Sequence, residues 1–316
     1  MQRLDRILAV IDPTVDVQPA ALKAARLARA CGASLELFAC DFAPALTAAP
    51  FFDTDQLRGL RDQFLAGRAQ ALETLARGLR ADGIEVTTHV HWDHPLHEGI
   101  LRRVAEFAPD LVVKDTHFHP PVRRVFLSNT DWHLIRACPV PLLLARQAAW
   151  PERPLVLAAL DPDHRHAKPV ALDTDILQAA RLVASALGGA VEAVHAFFPA
   201  ALLAATTGMA GAPMAADVAW TDVLESERAR VTEALRATVR SAGMADATMR
   251  VLQGAAADVL PGHAEQTGAV LLVMGGVTRG RLRERLVGST AERVLDRLAC
   301  DVLVVKPVDF VHTLPF

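Results

Sequence analysis

The stretch RILAVIDP at residues 6–13 returns as LVLAALDP at residues 155–162, an offset of 149. Each copy is a short apolar run that ends in Asp-Pro. Two further matches follow in the same order along the chain: DLVVKDTH (110–117) with AVLLVMGG (269–276), and CPVPLLLAR (138–146) with CDVLVVKP (300–307). Self-similarity that keeps one order of segments predicts two copies of a single domain.

Each copy alternates short apolar strands with longer helical segments. Strands that alternate with helices of about 10–15 residues predict a parallel sheet with helices on both faces. The strands are nearly continuous apolar runs, as expected when both faces are covered. The polar connector QAAWPERP (147–154) separates the copies and predicts two domains, 1–148 and 149–316. A chain of 316 residues is long enough for about two domains.

Composition indicates a soluble, cytoplasmic protein. With 33 basic and 36 acidic side chains the formal charge is -3, which gives no electrostatic reason to expect nucleic acid or an anionic membrane as a partner. The four cysteines have no paired spacing, so a reducing compartment is expected. Residues 193–216 carry no charge, but prolines and glycines interrupt them, and no membrane span is predicted.

The arrangement resembles the universal stress protein family, and the doubling resembles its tandem members. The shared features are a strand that ends in Asp, a glycine loop after the fourth strand, Gly-Ser/Thr at a helix start and a final Cys-x-Val-Leu-Val-Val strand. SNTDWHLIRACPVP (128–141) is similar to the first repeat of those tandem proteins. The resemblance implies two doubly wound, Rossmann-like α/β domains, each with a five-stranded parallel sheet of order 3-2-1-4-5. It also implies that the closing strands meet antiparallel as an intramolecular pseudo-dimer, and a homodimer is a further expectation.

Nucleotide-binding members of the family carry Gly-x2-Gly-x9-Gly-Ser/Thr. In the second repeat Gly275 matches the first position and Gly288 with Ser289 matches the end, while Thr278 replaces the middle glycine. The resemblance therefore implies ATP, with Mg²⁺, in the second repeat. Asp161 would contact the adenosine part and Val194, at the end of the second strand, would offer its backbone to the base. The remaining contacts would come from Met274, Gly275, Thr278, Arg279, Gly288, Ser289 and Thr290.

The residues themselves agree with this site in part. Gly275 permits close approach of a ligand or a positive φ. Ser289 and Thr290 open a helix, where free N–H groups and the helix dipole favour an anion. They also fit a simple N-cap, and an Asp-Pro turn explains Asp161 as well as it explains Asp12. Both interpretations stay open, and the alternating arginines of 279–285 are typical of a solvated face, with Arg279 as the exception most suited to a phosphate.

The first repeat differs in its loop after the fourth strand. Residues 115–137 contain no glycine, and prolines and bulky side chains take its place. Because proline donates no backbone N–H and bulky groups block a phosphate, the first repeat is not expected to bind ATP in the family manner, and its crevice is expected to have closed. His94, His117 and His119 are predicted to share one rim of the sheet. They suit the lining of a polar pocket better than a metal site, because no tight zinc spacing is present.

The leading functional hypothesis is a stress-response protein that binds ATP and acts by conformation or partner binding. No nucleophile elbow, complete P-loop or metal helix is present, so weak ATP hydrolysis is the most that is expected of it. One alternative is a binder of an apolar or acyl molecule, with Phe51, Phe52, Phe197 and Phe198 as the wall of a cavity. The other is a purely structural interaction protein that uses its domain surfaces.

Overall fold

A computed structural model of the chain describes residues 3–47, 54–116, 127–162, 171–199, 220–276, 289–307 and 310. The chain divides into two compact units, Met1–Pro151 and Glu152–Val308. Each unit repeats the same succession of strands and helices.

The first unit has a five-stranded parallel sheet of order β3-β2-β1-β4-β5. A 3-10 turn at Pro44–Leu46 follows its second strand. In chain order its elements are β1 (Arg6–Val10), α1 (Pro19–Cys31), β2 (Ser34–Asp41), α2 (Thr54–Ala81), β3 (Val86–Trp92), α3 (Leu96–Phe107), β4 (Leu111–Asp115), α4 (Asn129–Ala137) and β5 (Leu142–Ala145).

The second unit repeats this order as β8-β7-β6-β9-β10, again with parallel neighbours. Both units therefore have the predicted order 3-2-1-4-5, and the predicted fold class is confirmed. The described elements are β6 (Leu155–Ala159), α5 (Ala171–Ala186), β7 (Ala190–Phe197), α6 (Trp220–Ser241), β8 (Thr248–Gln253), α7 (Ala256–Thr267), β9 (Leu271–Gly275), α8 (Ser289–Leu295) and β10 (Asp301–Val305).

Helix α1 shows how the sequence produces these layers. Pro19 stands at its first position, where the missing N–H is not needed and the fixed φ suits a helix. Gly32 ends it with a φ of 68°, the left-handed conformation that glycine adopts most easily. Its inner face is a stripe of buried alanines at helical spacing, at positions 20, 21, 24, 25 and 28. These short side chains let the helix lie close to strand β1, which is buried from residue 7 to residue 10.

Strand register corrects the alignment of the two repeats. Ile7 pairs with Leu111 and the equivalent Val156 pairs with Leu271, so the fourth strands match at an offset of 160. The sequence comparison placed them at 159, because the apolar parts of the two strands, LVV and LLV, fit equally well when they are shifted by one residue. Asp115 is therefore the structural equivalent of Gly275, since both end the fourth strand of their unit.

The connector between the repeats packs on the first unit. Arg26 donates hydrogen bonds to the carbonyl oxygens of Trp150 and Pro151, each at 2.7 Å. The Trp150 side chain is buried, and the ammonium of Lys23 lies 5.5 Å from the centre of its ring. These contacts explain why the units separate after Pro151, three residues beyond the boundary predicted at 148.

None of the helices in the described ranges is long and apolar enough to cross a membrane. Most of the uncharged segment 193–216 lies outside those ranges. The antiparallel meeting of the closing strands, the pseudo-dimer and the homodimer stay predictions.

Candidate ligand crevices

Strand order reverses between β1 and β4 in the first unit and between β6 and β9 in the second. In open α/β sheets such reversals form a crevice at the carboxyl ends of the strands, where ligands bind. The first unit holds a pocket of about 380 Å³ at this place. The expectation that its crevice had closed is therefore wrong. The bulky residues on which that expectation rested, 117–126, lie outside the described residues.

Asp115 is the most unusual residue in the wall of this pocket. Its Oδ1 accepts a hydrogen bond of 2.6 Å from the backbone N–H of Ala20, in the first turn of α1. Its Oδ2 has no hydrogen-bond partner in the described part of the chain, although the residue is only 8% exposed. Burial raises the pKa of this carboxyl to about 6, against the opposing effects of the Ala20 N–H, Lys114 and Lys23. A carboxylate thus occupies the position where the second unit has a glycine.

Lys114 forms a buried ion pair across the same crevice. Its ammonium lies 2.7 Å from Oδ1 of Asp131, and the two side chains are 10% and 0% exposed. Oδ2 of Asp131 accepts a hydrogen bond from the backbone N–H of Ser128, and Oγ of Ser128 accepts one from the backbone N–H of Asp131, which together form a capping box at the start of α4. The pair therefore joins the end of β4 to the first turn of α4.

Two further carboxylates line the pocket. Asp12 accepts hydrogen bonds from the backbone N–H and the hydroxyl of Thr14, so in the first unit the Asp-Pro dipeptide does form a turn. Asp41 accepts a 2.8 Å hydrogen bond from Nε of Arg68, and that guanidinium also reaches the carbonyl of Pro13 at 3.3 Å. The outer wall of the crevice is thereby tied to helix α2.

Cys40 lies in the same wall and stays a thiol. Burial, followed by the nearby charges of Asp93 and Asp41, raises its pKa to about 12. The absence of a side chain at Gly99 makes room for this sulfur, because a Cβ there would lie 2.5 Å from it. Cys40 is therefore a packing residue and a poor nucleophile.

In the second unit the structure brings Asp161 and Gly275 to one edge of the sheet. Ala158 pairs with Val273, so the two residues leave adjacent strands almost side by side. Asp161 is half-buried, and its N–H donates to Oδ1 of the fully buried Asp173, in the first turn of α5. This hydrogen bond was not foreseen from the sequence; an acidic residue in the first turn of an apolar helix was its only signal.

Gly275 has a packing role that the sequence did not reveal. It is the last residue of β9 and has no positive φ, so a left-handed conformation is not the reason for a glycine here. A Cβ at this position would lie 2.9 Å from Cδ2 of Leu172 and 3.8 Å from Cδ1 of Ile176. A side chain at this position would require the end of Leu172 to shift, so the packing of α5 on β9 favours glycine here, whether or not a ligand approaches.

The structure corrects the prediction for Val194. This residue lies inside β7, paired with Ala159 and Arg250, and the strand continues to Phe197. It is fully buried, and its carbonyl accepts the N–H of Leu160 at 2.9 Å. Because this carbonyl is already used within the sheet, it is poorly placed to contact a base. The predicted position of Val194 at the end of the strand is wrong. Met274 is likewise buried within β9.

The remaining predicted contacts lie at or beyond the edge of the described residues. Helix α8 begins at Ser289, as the spacing of the motif predicts, and Thr290 is half-buried in its first turn. Thr278, Arg279 and Gly288 lie outside the described residues, as do His117, His119, Phe51 and Phe52. Of the other two predicted cavity residues, Phe197 is buried and Phe198 is 38% exposed.

The histidines of the first unit mostly pack against rings. His94 contacts Phe42 with a centroid distance of 4.6 Å, and the rings of His97 and His133 stack at 3.9 Å. Burial, followed by the neighbouring His133, lowers the pKa of His97. Within the described ranges no three His, Cys, Asp or Glu side chains form a group able to hold a metal ion.

The fold defines a tandem pair of doubly wound α/β domains, each with a switch point at the carboxyl ends of its strands. Residues 3–146 and 166–306 match the model of the universal stress protein family, and the chain belongs to that family.

Relatives match over almost the whole chain. Universal stress protein E of Escherichia coli K12 is 26% identical over 309 residues, which cover 97% of this chain and 95% of the relative. A crystal structure of a protein of unknown function from Pseudomonas aeruginosa PAO1 is 28% identical with a TM-score of 0.72, covering 98% of this chain and 94% of that one. A universal stress protein from Archaeoglobus fulgidus, at 16% identity and a TM-score of 0.62, covers 95% of this chain and 98% of that one and shares the fold.

Proposed function

We propose that this universal stress protein binds an adenine nucleotide, ATP with Mg²⁺, in the crevice of its second unit. It acts in the cytoplasm through a change of conformation or through a partner. The observation that carries the proposal is the placement of Asp161 and Gly275 at the ends of adjacent strands, at the switch point. The start of α8 at Ser289 agrees with it, since the family motif places a phosphate contact there.

The contrast between the two crevices supports the choice of the second. An anion near the end of the fourth strand would meet the carboxylate of Asp115 in the first unit and no side chain at Gly275 in the second. Buried Met274 and Ala291 replace the ion pair of Lys114 and Asp131 at the equivalent positions, so no buried carboxylate faces the loop from these positions. Like charges at close range disfavour a bound phosphate, and at the end of the fourth strand the second unit lacks the carboxylate that Asp115 provides in the first.

The first test of the proposal is ATP-induced stabilisation. A ligand that binds only the native state adds about 2.7 kcal/mol at roughly 100 times its Kd, so MgATP will raise the melting temperature. Gly288→Arg places a long side chain where the motif requires close approach and will abolish that rise. The matched control is Gly78→Arg, on the exposed face of α2 with open space around it, which will keep the rise. An unchanged rise in Gly288→Arg rules out this pocket.

Ligand extraction separates the three functional classes. Protein purified without added nucleotide is heated, and the released small molecules are identified by mass. An adenine nucleotide supports the proposal, whereas an acyl compound supports the apolar binder. Release of neither, together with no ATP-induced stabilisation, supports a structural interaction protein.

A further inference from the structure

We propose that the crevice of the first unit is a second and chemically different site, which binds a small organic cation carrying a primary ammonium group. Asp115 is the acceptor that recognises this group. The site is separate from the proposed ATP site, because its residues all belong to the first unit.

The unsatisfied oxygen of Asp115 is the first support. Buried polar atoms are nearly always hydrogen-bonded, and leaving one unpaired is costly. Oδ1 has the Ala20 N–H, but Oδ2 has no partner among the described residues, in a side chain that lines a pocket and is more than nine-tenths buried. A donor on a ligand would satisfy it. An ammonium supplies three N–H donors and a charge that complements the carboxylate.

The charges around the pocket favour a cation. Its described lining residues include three carboxylates, Asp12, Asp41 and Asp115, and the ammonium of Lys114. Asp41 is paired with the guanidinium of Arg68 at 2.8 Å, so the excess of negative charge comes from Asp12 and Asp115. The Lys114 ammonium already contacts Oδ1 of Asp131 at 2.7 Å and the carbonyl of Asp115 at 3.0 Å. An excess of one sign in a cleft with apolar walls raises the local concentration of the opposite charge.

The same residue excludes the anions that a doubly wound crevice often binds. The Ala20 N–H, which belongs to the first turn of α1, is already accepted by the protein's own carboxylate. Asp115 also ends the fourth strand, where the second unit has Gly275, so a phosphate entering at this point would meet a negative charge. At equivalent positions the two units therefore have sites suited to ligands of opposite charge.

The size and walls of the pocket fit an aliphatic amine. A volume of about 380 Å³ lies at the lower end of the range of small-molecule sites. Ile11 and Ile100 supply buried apolar walls for a methylene chain, and Leu96, 36% exposed, lies in the wall between the pocket and solvent. A short chain with an ammonium at its end therefore combines both kinds of contact.

The test is calorimetric titration of the full-length protein with 1,4-diaminobutane. At about pH 8, where Asp115 is ionised, the wild type will show one saturable site, and Asp115→Asn will weaken binding by tenfold or more, as expected for loss of a charged hydrogen bond. Asp16→Asn removes an exposed carboxylate of the same unit and will leave the affinity unchanged. Tetramethylammonium, a cation without an N–H donor, will not displace the diamine.

A second variant guards against an indirect effect of Asp115→Asn. Leu96→Trp fills the pocket from its partly exposed wall without changing a charge, and it will also reduce binding at an unchanged melting temperature. The proposal fails if the wild type shows no saturable binding, if Asp16→Asn and Asp115→Asn weaken binding equally, or if ATP competes with the diamine. The ATP experiment depends on Gly288 and this one on Asp115, so each fails or succeeds by itself.

Discussion

Replacement of Lys114 by methionine will lower the free energy of unfolding by about 3 kcal/mol or more, because it leaves the carboxylate of Asp131 buried without its cation. Urea unfolding monitored by circular dichroism measures this change, provided that the slope with denaturant stays that of the wild type. Most surface substitutions change stability by less than about 0.5 kcal/mol, so the effect is large enough to assign to the pair.

A double-mutant cycle separates the ion pair from its surroundings. Asp131→Ala will cost about as much as Lys114→Met, since it strands the ammonium and also removes the acceptor of the Ser128 capping box, which is worth about 1 kcal/mol. The double variant will be more stable than either single variant, with a coupling of about 2 kcal/mol or more. Additive single effects would show that the two groups do not stabilise each other.

The second unit shows why the double variant is tolerable. At the positions equivalent to Lys114 and Asp131 it has Met274 and Ala291, both buried at 7% exposure. One fold thus accepts either an ion pair or an apolar pair here, in keeping with the finding that buried pairs replaced by apolar residues are often neutral or stabilising. A single charge left buried without its partner is destabilising, and the double-mutant cycle measures this difference between the single variants and the double variant.

The repeat in the sequence predicted two α/β domains with parallel sheets, and the family resemblance predicted their strand order. RILAVIDP and LVLAALDP became the first strands of two units with the same strand order, since apolar runs that alternate with helices leave few other topologies. The crevices lie where this strand order reverses, the place at which open α/β sheets bind ligands. The register could not be predicted, because β9 has no charged residues to match Lys114-Asp115 of β4 and its apolar residues align equally well one position away.

The chemistry of the crevices was harder to predict because it depends on contacts between distant residues. The motif predicted Gly275 as a ligand-binding glycine. In the structure a Cβ at this position would meet Leu172 of α5, about one hundred positions earlier in the chain. The sequence did not indicate a role for Asp115 at the end of its strand, because its partner, the N–H of Ala20, lies 95 positions away in the chain. The sequence does contain one signal, since Lys114 and Asp115 are two charged residues in an otherwise buried strand. Charged residues are rarely buried unless they are paired, so this pattern indicates partners elsewhere in the chain.

Relative to the wild type, Asp115→Asn will gain about 2–3 kcal/mol of unfolding free energy as the pH rises from about 4 to about 8. The pKa of Asp115 is raised to about 6 in the folded protein and lies near its ordinary value of 3.8 in the unfolded chain. Between these values the folded state holds more protons, so its stability falls as the pH rises. Asparagine keeps an oxygen for the Ala20 N–H but does not titrate.

Acid and urea unfolding series on both proteins measure this difference, and a constant difference across the range would show that Asp115 is not held in an unfavourable ionised state. The result bears directly on the proposed amine site. The ionised Asp115 destabilises the fold at neutral pH, although asparagine could keep its hydrogen bond to the Ala20 N–H. Such a costly charge is expected at a position where a ligand binds to it. Saturating 1,4-diaminobutane should therefore stabilise the wild type at about pH 8 and recover part of the gap to Asp115→Asn, which gains little from the same ligand.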